Sequence, residues 1–270
     1  MKKMTTNSNL LRLIKQQQIQ SSGLFFHSQQ GEDTIILKNF INKPCRDGFF
    51  VELGAMDGLT FSNTLFFEKK MGFKGLLIEP TETFHQLKTN RPSCINVHTA
   101  VGYNDGEKVE FIGEGAVAGM TSTMNEKFRK DWHQNSKTYE VTTKRMETIL
   151  KENNVKYIDL FSIDVEGGEL VILETMDWDI PVYCIVIELD GNNKEKDEKC
   201  RELLIEKGFT LISRVQINEF WINKNYFRKD LLYDANNSNS FLVNSICFFP
   251  YMAPHLRDEL FQEFDKTYTW

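Results

Sequence analysis

The stretch Val51-Glu52-Leu53-Gly54-Ala55-Met56-Asp57-Gly58, with Glu79 twenty-one residues beyond Gly58, decides how this chain is read. The apolar run Gly48-Phe49-Phe50-Val51-Glu52-Leu53 has strand character and ends in an acidic turn flanked by glycines. Ser62-Asn63-Thr64 then opens a helix carrying Leu65, Phe66 and Phe67, and Gly72 is placed to end it as a left-handed C-cap. Gly75-Leu76-Leu77-Ile78-Glu79 reads as a second buried strand. Glycines at a strand-to-helix turn let a ligand approach the backbone closely. An acid about twenty positions later sits where a ribose lies, and a carboxylate can accept two charge-assisted hydrogen bonds from its diol. A nucleoside-containing cofactor is the functional reading. An ordinary tight turn, with Glu79 a solvated strand-end acid, is the plain one.

Charge narrows the cofactor. A dinucleotide needs Gly-x-Gly-x-x-Gly for its pyrophosphate, and this loop has only Gly54 and Gly58, with acids at Glu52 and Asp57. Those acids repel a pyrophosphate but tolerate a sulfonium and an ammonium. S-adenosylmethionine is favoured over a nicotinamide cofactor, and a nicotinamide-dependent oxidoreductase is the first rival. A non-catalytic nucleoside- or glycan-binding module on the same scaffold is the second.

A second acidic stretch, Phe161-Ser162-Ile163-Asp164-Val165-Glu166-Gly167-Gly168-Glu169, lies at the carboxyl end of another strand, where open parallel sheets bind ligands. Asp164 and Glu166 are two apart and share a face if the strand persists. They are placed to deprotonate a hydroxyl, hold a divalent ion or steer a cation. Glu169 has the alternative of complementing a helix N-terminus. Glu188 ends Ile185-Val186-Ile187-Glu188, and would lie beside Asp164 if the two strands are neighbours. His133, following Trp132, is a candidate base, although a surface histidine is the plainer reading. Glu188, His133 and Glu169 are the candidate acceptor contacts. Ser28-Gln29 with Glu32-Asp33 lines a cleft or caps a helix.

Outward from these stretches, strands and helices alternate. Helices are expected from Asp33 to about Ile41, Glu82 to Asn90, Glu169 to Met176 and Glu195 to Lys207. Strands are expected over Ile95–Val101, Tyr157–Asp164 and Val182–Leu189, and Phe209–Val215 with Glu219–Asn223 reads as a closing antiparallel pair. Near-continuous apolar strands alternating with helices give an α/β fold, a mostly parallel sheet covered on both faces. Residues 1–24 read as an N-terminal arm, 25–225 as the folded domain and 226–270 as an extension, in which Pro254 starts an amphipathic helix using Leu256, Leu260 and Phe264. Residues 102–150 form a long insert whose Gly113, Gly115 and Gly119 make a flexible stretch suited to a lid.

The 270 residues are 41% hydrophobic and 26% charged, which excludes wholesale disorder and fibrous classes. The net charge of −6 argues against a dedicated nucleic-acid binder. Five scattered cysteines without a C-x-x-C pattern or a Cys/His cluster make a structural zinc site unexpected and indicate a reducing compartment. No segment approaches eighteen uninterrupted apolar residues and no signal-peptide core is present, so no membrane span is expected and a cytoplasmic location is.

At these residues the sequence resembles the FkbM-type family of S-adenosylmethionine-dependent methyltransferases. The matching pieces are Ser28-Gln29 with Asp33, the run from Gly48 to Gly58, Ser62-Asn63-Thr64, the run from Gly72 to Pro80, Ala100-Val101-Gly102, and Ile163 to Glu169. Their order and spacing agree over about residues 27–223, with Gly168 a mild departure where the family usually carries a larger residue. The resemblance implies a class I methyltransferase fold, Rossmann-like, with a seven-stranded sheet whose last strand is reversed. It implies methyl transfer, usually to oxygen, on sugars, glycans or other small metabolites. It assigns Glu52, Gly54, Asp57 and Gly58 to the cofactor's amino-acid end, with Asn63 helping at the helix start. Glu79 falls on the ribose, Val101 and Asp105 on the adenine, and Asp164 to Glu166 near the transferred methyl. Asp164 is then the candidate base, with Glu166 supporting it or sharing a divalent ion.

Overall fold

The computed structural model describes residues 26–43, 45 and 47–232. The expected N-terminal arm, most of the C-terminal extension with its 254–266 helix, and Cys247 lie outside the described residues.

Seven strands form the main sheet: β1 (Phe49–Leu53), β2 (Lys74–Ile78), β3 (Ile95–Val97), β8 (Ile158–Ile163), β9 (Val182–Glu188), β10 (Phe209–Val215) and β11 (Asn218–Asn223). Their order is β10-β11-β9-β8-β1-β2-β3. All pairings are parallel except those of β11, which runs antiparallel to both β9 and β10. This is the class I methyltransferase topology. The strand order reverses between β1 and β8, and ligands bind at such a switch point, outside the carboxyl ends of the strands.

Alternation along each strand builds two cores. Val51 and Leu53 of β1 join Leu76, Ile78, Phe161, Ile185 and Trp221 on one face. Phe50, Leu77, Leu160, Val186 and Phe220 lie on the other. The first face is covered by α4 (Met146–Glu152), α5 (Glu169–Glu174) and α6 (Lys194–Glu206), through Ile149, Leu150, Leu173 and Leu204. The second is covered by α1 (Glu32–Asn39), α2 (Phe84–Asn90) and a π-helical turn at Phe67–Met71. Gly72 ends that turn in the left-handed conformation. All six residues of β8 are buried, Asp159 and Ser162 included, as in a central strand covered on both faces.

Three expectations are corrected. The run Ile95–Val101 is not one strand: β3 stops at Val97, and β4 (Ala100–Val101) leaves for a different sheet. Thr99 makes the break, its hydroxyl donating to the Thr142 carbonyl at 2.9 Å. The insert is not merely a flexible glycine stretch. β4, β5 (Lys108–Ile112), β6 (Gly119–Met120) and β7 (Thr138–Lys144) form a second sheet in the order β4-β7-β5-β6. Ala100, Phe111, Met120 and Val141 give it a small core of its own, and α3 (Glu126–Trp132) connects β6 to β7. Finally, Asp33 does not start α1. Gly31 occupies the N-cap, and Asp33 sits inside the first turn, accepting from the His27 and Ser28 amides and the Ser28 hydroxyl.

Candidate active site

A cavity of about 320 Å³ opens at the carboxyl ends of β1, β2, β8 and β9, within the range of small-molecule sites. Gly54, Glu52, Asn63, Glu79, Val101, Asp164, Glu166 and Glu188 all line it. The fold thus gathers most of the residues singled out in the sequence.

The turn after β1 is shaped by contacts with its neighbours. Gly54 has φ +71°, and a Cβ there would lie 2.0 Å from the Asp164 carbonyl oxygen. Met56 also takes a left-handed φ of +49°. Its amide donates to Glu79 Oε2 at 2.8 Å, and the Thr81 amide donates to Oε1 at 2.7 Å. Glu79 therefore pins the β1 turn to the β2 end. A carboxylate has about four lone-pair positions, so two remain.

Glu52 is buried at the cavity wall, and its hydrogen bonds go to the segment after the turn. It accepts from the Asn63 amide at 2.7 Å and from the hydroxyls of Ser62 and Thr64 at 2.9 and 2.6 Å. This fixes the segment that presents Asn63. The Asn63 side-chain amide donates to Ser162 at 3.0 Å, while its Oδ1 has no partner although the residue is only 7% exposed. A buried acceptor left open costs free energy unless a ligand donor meets it.

Asp164, Glu166 and Glu188 form the chemical centre, their nearest oxygens all within 4.8 Å of one another. The β8–β9 register pairs Ile163 with Ile187, so the next residues, Asp164 and Glu188, emerge side by side. Strand alternation does not bring Glu166 to them, because β8 ends at Ile163. Glu166 instead turns back with φ +52°, followed by Gly167 at +104°. A Cβ on Gly167 would meet the Thr123 carbonyl oxygen at 2.7 Å, which shows how closely the insert packs on this loop.

Burial raises all three carboxyls above their ordinary range. Asp164 is raised further by the charges of Glu169 and Glu32, and Glu188 by those of Asp164 and Glu166. Glu166 is pushed up to about 8 by burial and then by Asp164 and Glu169. Lys196, whose charge works against the shift at Glu166, is paired with Glu169 and Asp197. Such a cluster holds protons or a bound cation.

Five candidates are not at the cavity wall. Asp57 caps its own turn, accepting from the amides of Leu59 and Thr60 and the Thr60 hydroxyl. Burial works to raise it, yet these bonds hold it below its ordinary range. Gly58 packs on Arg91, whose Nη1 donates to the Gly58 carbonyl at 2.9 Å. Asp105 is exposed and accepts from the Arg145 amide and the Thr148 hydroxyl at the start of α4. Glu169 is buried in its ion pair with Lys196. His133 is not a surface histidine. It is 6% exposed, and its Nε2 lies 2.8 Å from the Val117 carbonyl, so it ties α3 to the Gly115–Val117 turn.

Of Ser28-Gln29, read as lining a cleft or capping a helix, Gln29 lines the cavity with Gln30, whereas the Ser28 hydroxyl bonds Asp33 in the first turn of α1; the Gln30 amide is held at 2.8 Å by Glu32. The insert supplies Phe111, Val117, Met120, Phe128 and Trp132. Only the four-residue spacing of Phe128 and Trp132 marked any of these in the sequence, as one face of a helix.

The model of the methyltransferase FkbM domain matches residues 52–211, which include the β1 turn, Glu79 and all three clustered carboxylates. The chain belongs to the FkbM methyltransferase family. This member is 10% identical to an Aeropyrum pernix fibrillarin solved with natively bound S-adenosyl-L-methionine, over 72% of this chain and 73% of that one, with a TM-score of 0.42. Its identity to M. capricolum TrmK, solved with S-adenosyl-homocysteine, is also 10%, over 74% and 71% of the two chains, with a TM-score of 0.41. A Methanococcus jannaschii fibrillarin pre-rRNA processing protein is 15% identical over 70% and 72%, with a TM-score of 0.40. No curated protein matches the FkbM chain in sequence. Among the described residues, no helix is long and apolar enough to cross a membrane, and Cys45, Cys94, Cys184 and Cys200 are free thiols.

Proposed function

We propose that this FkbM methyltransferase transfers a methyl group from S-adenosylmethionine to a hydroxyl of a sugar, glycan or similar small metabolite. The observation that carries the reading is the trio Asp164, Glu166 and Glu188, facing the same cavity as the Gly54 turn and Glu79. Raised carboxyls this close together hold protons, and a positive ligand favours their ionised form. S-adenosylmethionine is a cation, and when bound it supplies an electrophilic methyl on its sulfonium.

The residues fit that group. The two lone-pair positions left on Glu79 suit the ribose diol, and the open Asn63 Oδ1 suits an ammonium donor. Val101 supplies apolar wall for the base. Glu52, Asp57 and Gly58 act through the shape of the loop, and Asp105, Glu169 and His133 through the elements they tie down. A sugar hydroxyl is a poor nucleophile near neutral pH. Asp164, coupled to Glu188, accepts its proton as it attacks, a contribution of about 10²–10⁴-fold. Alignment of the reactants supplies about 7–11 kcal/mol more.

A divalent ion is the alternative occupant of the trio, since hard oxygen ligands suit magnesium or calcium. The free thiols support the cytoplasm as its place of action. The test is incubation with labelled S-adenosylmethionine and a glycan library, followed by mass spectrometry of the product, with and without prior dialysis against EDTA. Methylated product that survives chelation fits the carboxylate base. Activity lost to EDTA and restored by magnesium transfers the role to an ion. A thermal shift with a nicotinamide cofactor but none with S-adenosylmethionine would overturn the reading in favour of the oxidoreductase. S-adenosylmethionine binding without turnover on any acceptor would favour the binding module.

A further inference from the structure

Among the described residues only two of the Phe, Tyr and Trp side chains are exposed, Tyr103 and Trp132, and Trp132, at 62%, also lines the cavity. Phe128, one helical turn earlier, lines the same cavity, and the two rings are 6.1 Å apart at 32°. Helix α3 buries none of its residues, so this pair does not serve a core.

The helix is nevertheless fixed in place. Asn125 caps its N-terminus, accepting from the Lys127 and Phe128 amides, and donates from Nδ2 to the Asn192 carbonyl at 2.8 Å, in the loop after β9. His133 ends the helix and reaches the Val117 carbonyl. Gly113 makes room for that imidazole, since a Cβ there would lie 2.3 Å from Cε1. An aromatic strip held rigidly at both ends, open to solvent and facing a cavity, is a surface prepared for a ligand. The cavity also carries carboxylates at Asp164 and Glu188 and side-chain amides at Gln29 and Gln30. The ligand that satisfies both sets has a flat C–H face and a hydroxylated edge, as a pyranose ring does.

We infer that Trp132, with Phe128 behind it, is the stacking wall that positions a ring-shaped polyhydroxylated acceptor with its hydroxyl toward Asp164 and Glu188. The inference rests on the methyltransferase reading and adds to it a specificity-determining residue in the insert. Aromatic rings favour such faces because their area is large and only two side-chain torsions must be ordered.

The test is saturation-transfer NMR on the full chain saturated with S-adenosylhomocysteine, using a panel of methyl α- and β-pyranosides as probes, for the wild type, Trp132→Ala and Trp132→Phe. Affinity for S-adenosylhomocysteine is measured by calorimetry for each. The expected result is transfer to the ring protons of at least one pyranoside in the wild type. That signal falls at least fivefold in Trp132→Ala and is largely retained in Trp132→Phe, with S-adenosylhomocysteine affinity within twofold throughout. Because Trp132 is exposed, the alanine variant should fold, and an unchanged melting temperature checks it. An unchanged signal in Trp132→Ala overturns the inference. So does a tenfold loss of S-adenosylhomocysteine affinity in that variant, which would make Trp132 a cofactor wall. No pyranoside signal in a wild type that binds S-adenosylhomocysteine overturns the inference alone, whereas failure to bind S-adenosylhomocysteine overturns the reading beneath it.

Discussion

The main-chain oxygen of Asp164 occupies the space a side chain at Gly54 would need, with a hypothetical Cβ only 2.0 Å away. The turn after β1 and the loop after β8 therefore approach each other backbone to backbone, with no room for a side chain between them.

Gly54→Ala should accordingly be damaging. It combines a left-handed φ of +71° with a backbone collision, and alanine at positive φ already costs more than about 1 kcal/mol. Gly106→Ala is the control, since Gly106 has a similar φ of +75° with nothing within 4 Å of the added carbon. Thermal denaturation should show a clearly larger loss at 54 than at 106, and calorimetry should show S-adenosylmethionine binding lost only at 54. Equal losses would mean that the contact does not matter.

Removing the Glu79 carboxylate should uncouple the two strand ends. Glu79→Ala takes the acceptor from the Met56 and Thr81 amides as well as from the proposed ribose. We expect binding weakened by about 1.5–3 kcal/mol, the worth of a hydrogen bond to a charged group. Glu79→Gln, which keeps one acceptor oxygen, should lose less. An unaltered dissociation constant in both variants would remove Glu79 from the cofactor site.

Asp164→Asn preserves shape and removes the proton acceptor. Turnover should fall by about 10²-fold or more, while S-adenosylmethionine affinity changes little beside it. Glu188→Gln should fall in the same direction, because the two carboxyls interact directly. Wild-type turnover in Asp164→Asn would exclude it as the base.

The raised carboxyls make binding sensitive to pH. Glu166 titrates near 8 in the folded protein against an ordinary 4.5. Between those values the folded state holds a proton that the unfolded chain has released. The unliganded protein should therefore lose stability as pH rises through this window, most of the loss complete by about 8. A cationic cofactor favours the ionised carboxylate, so its binding should expel protons and tighten from pH 6 to 8.5. Calorimetry in buffers of different protonation enthalpy reads both effects. A dissociation constant flat across that range, with no proton release, would defeat this account.

Much of this protein was written in local sequence. Phe49 to Val51, Leu76 to Ile78 and Val182 to Ile187 are short apolar runs bounded by turn residues, which read as strands buried on both faces, and their alternation with helices points to a mostly parallel sheet. Gly54, Glu79 and Asp164 were legible because their chemistry follows from their place at strand ends. What only the tertiary structure decided is which side chains meet. Glu188 reaches Asp164 through the register of two strands far apart in the chain. Glu166 joins them by a left-handed turn rather than by alternation, and Asp57 and Asp105 are drawn instead to nearby backbone amides. Residues 102–150 gave no warning of a second sheet, or of the helix between two of its strands that brings Phe128 and Trp132 to the cavity, because short strands declare themselves only through partners distant in sequence.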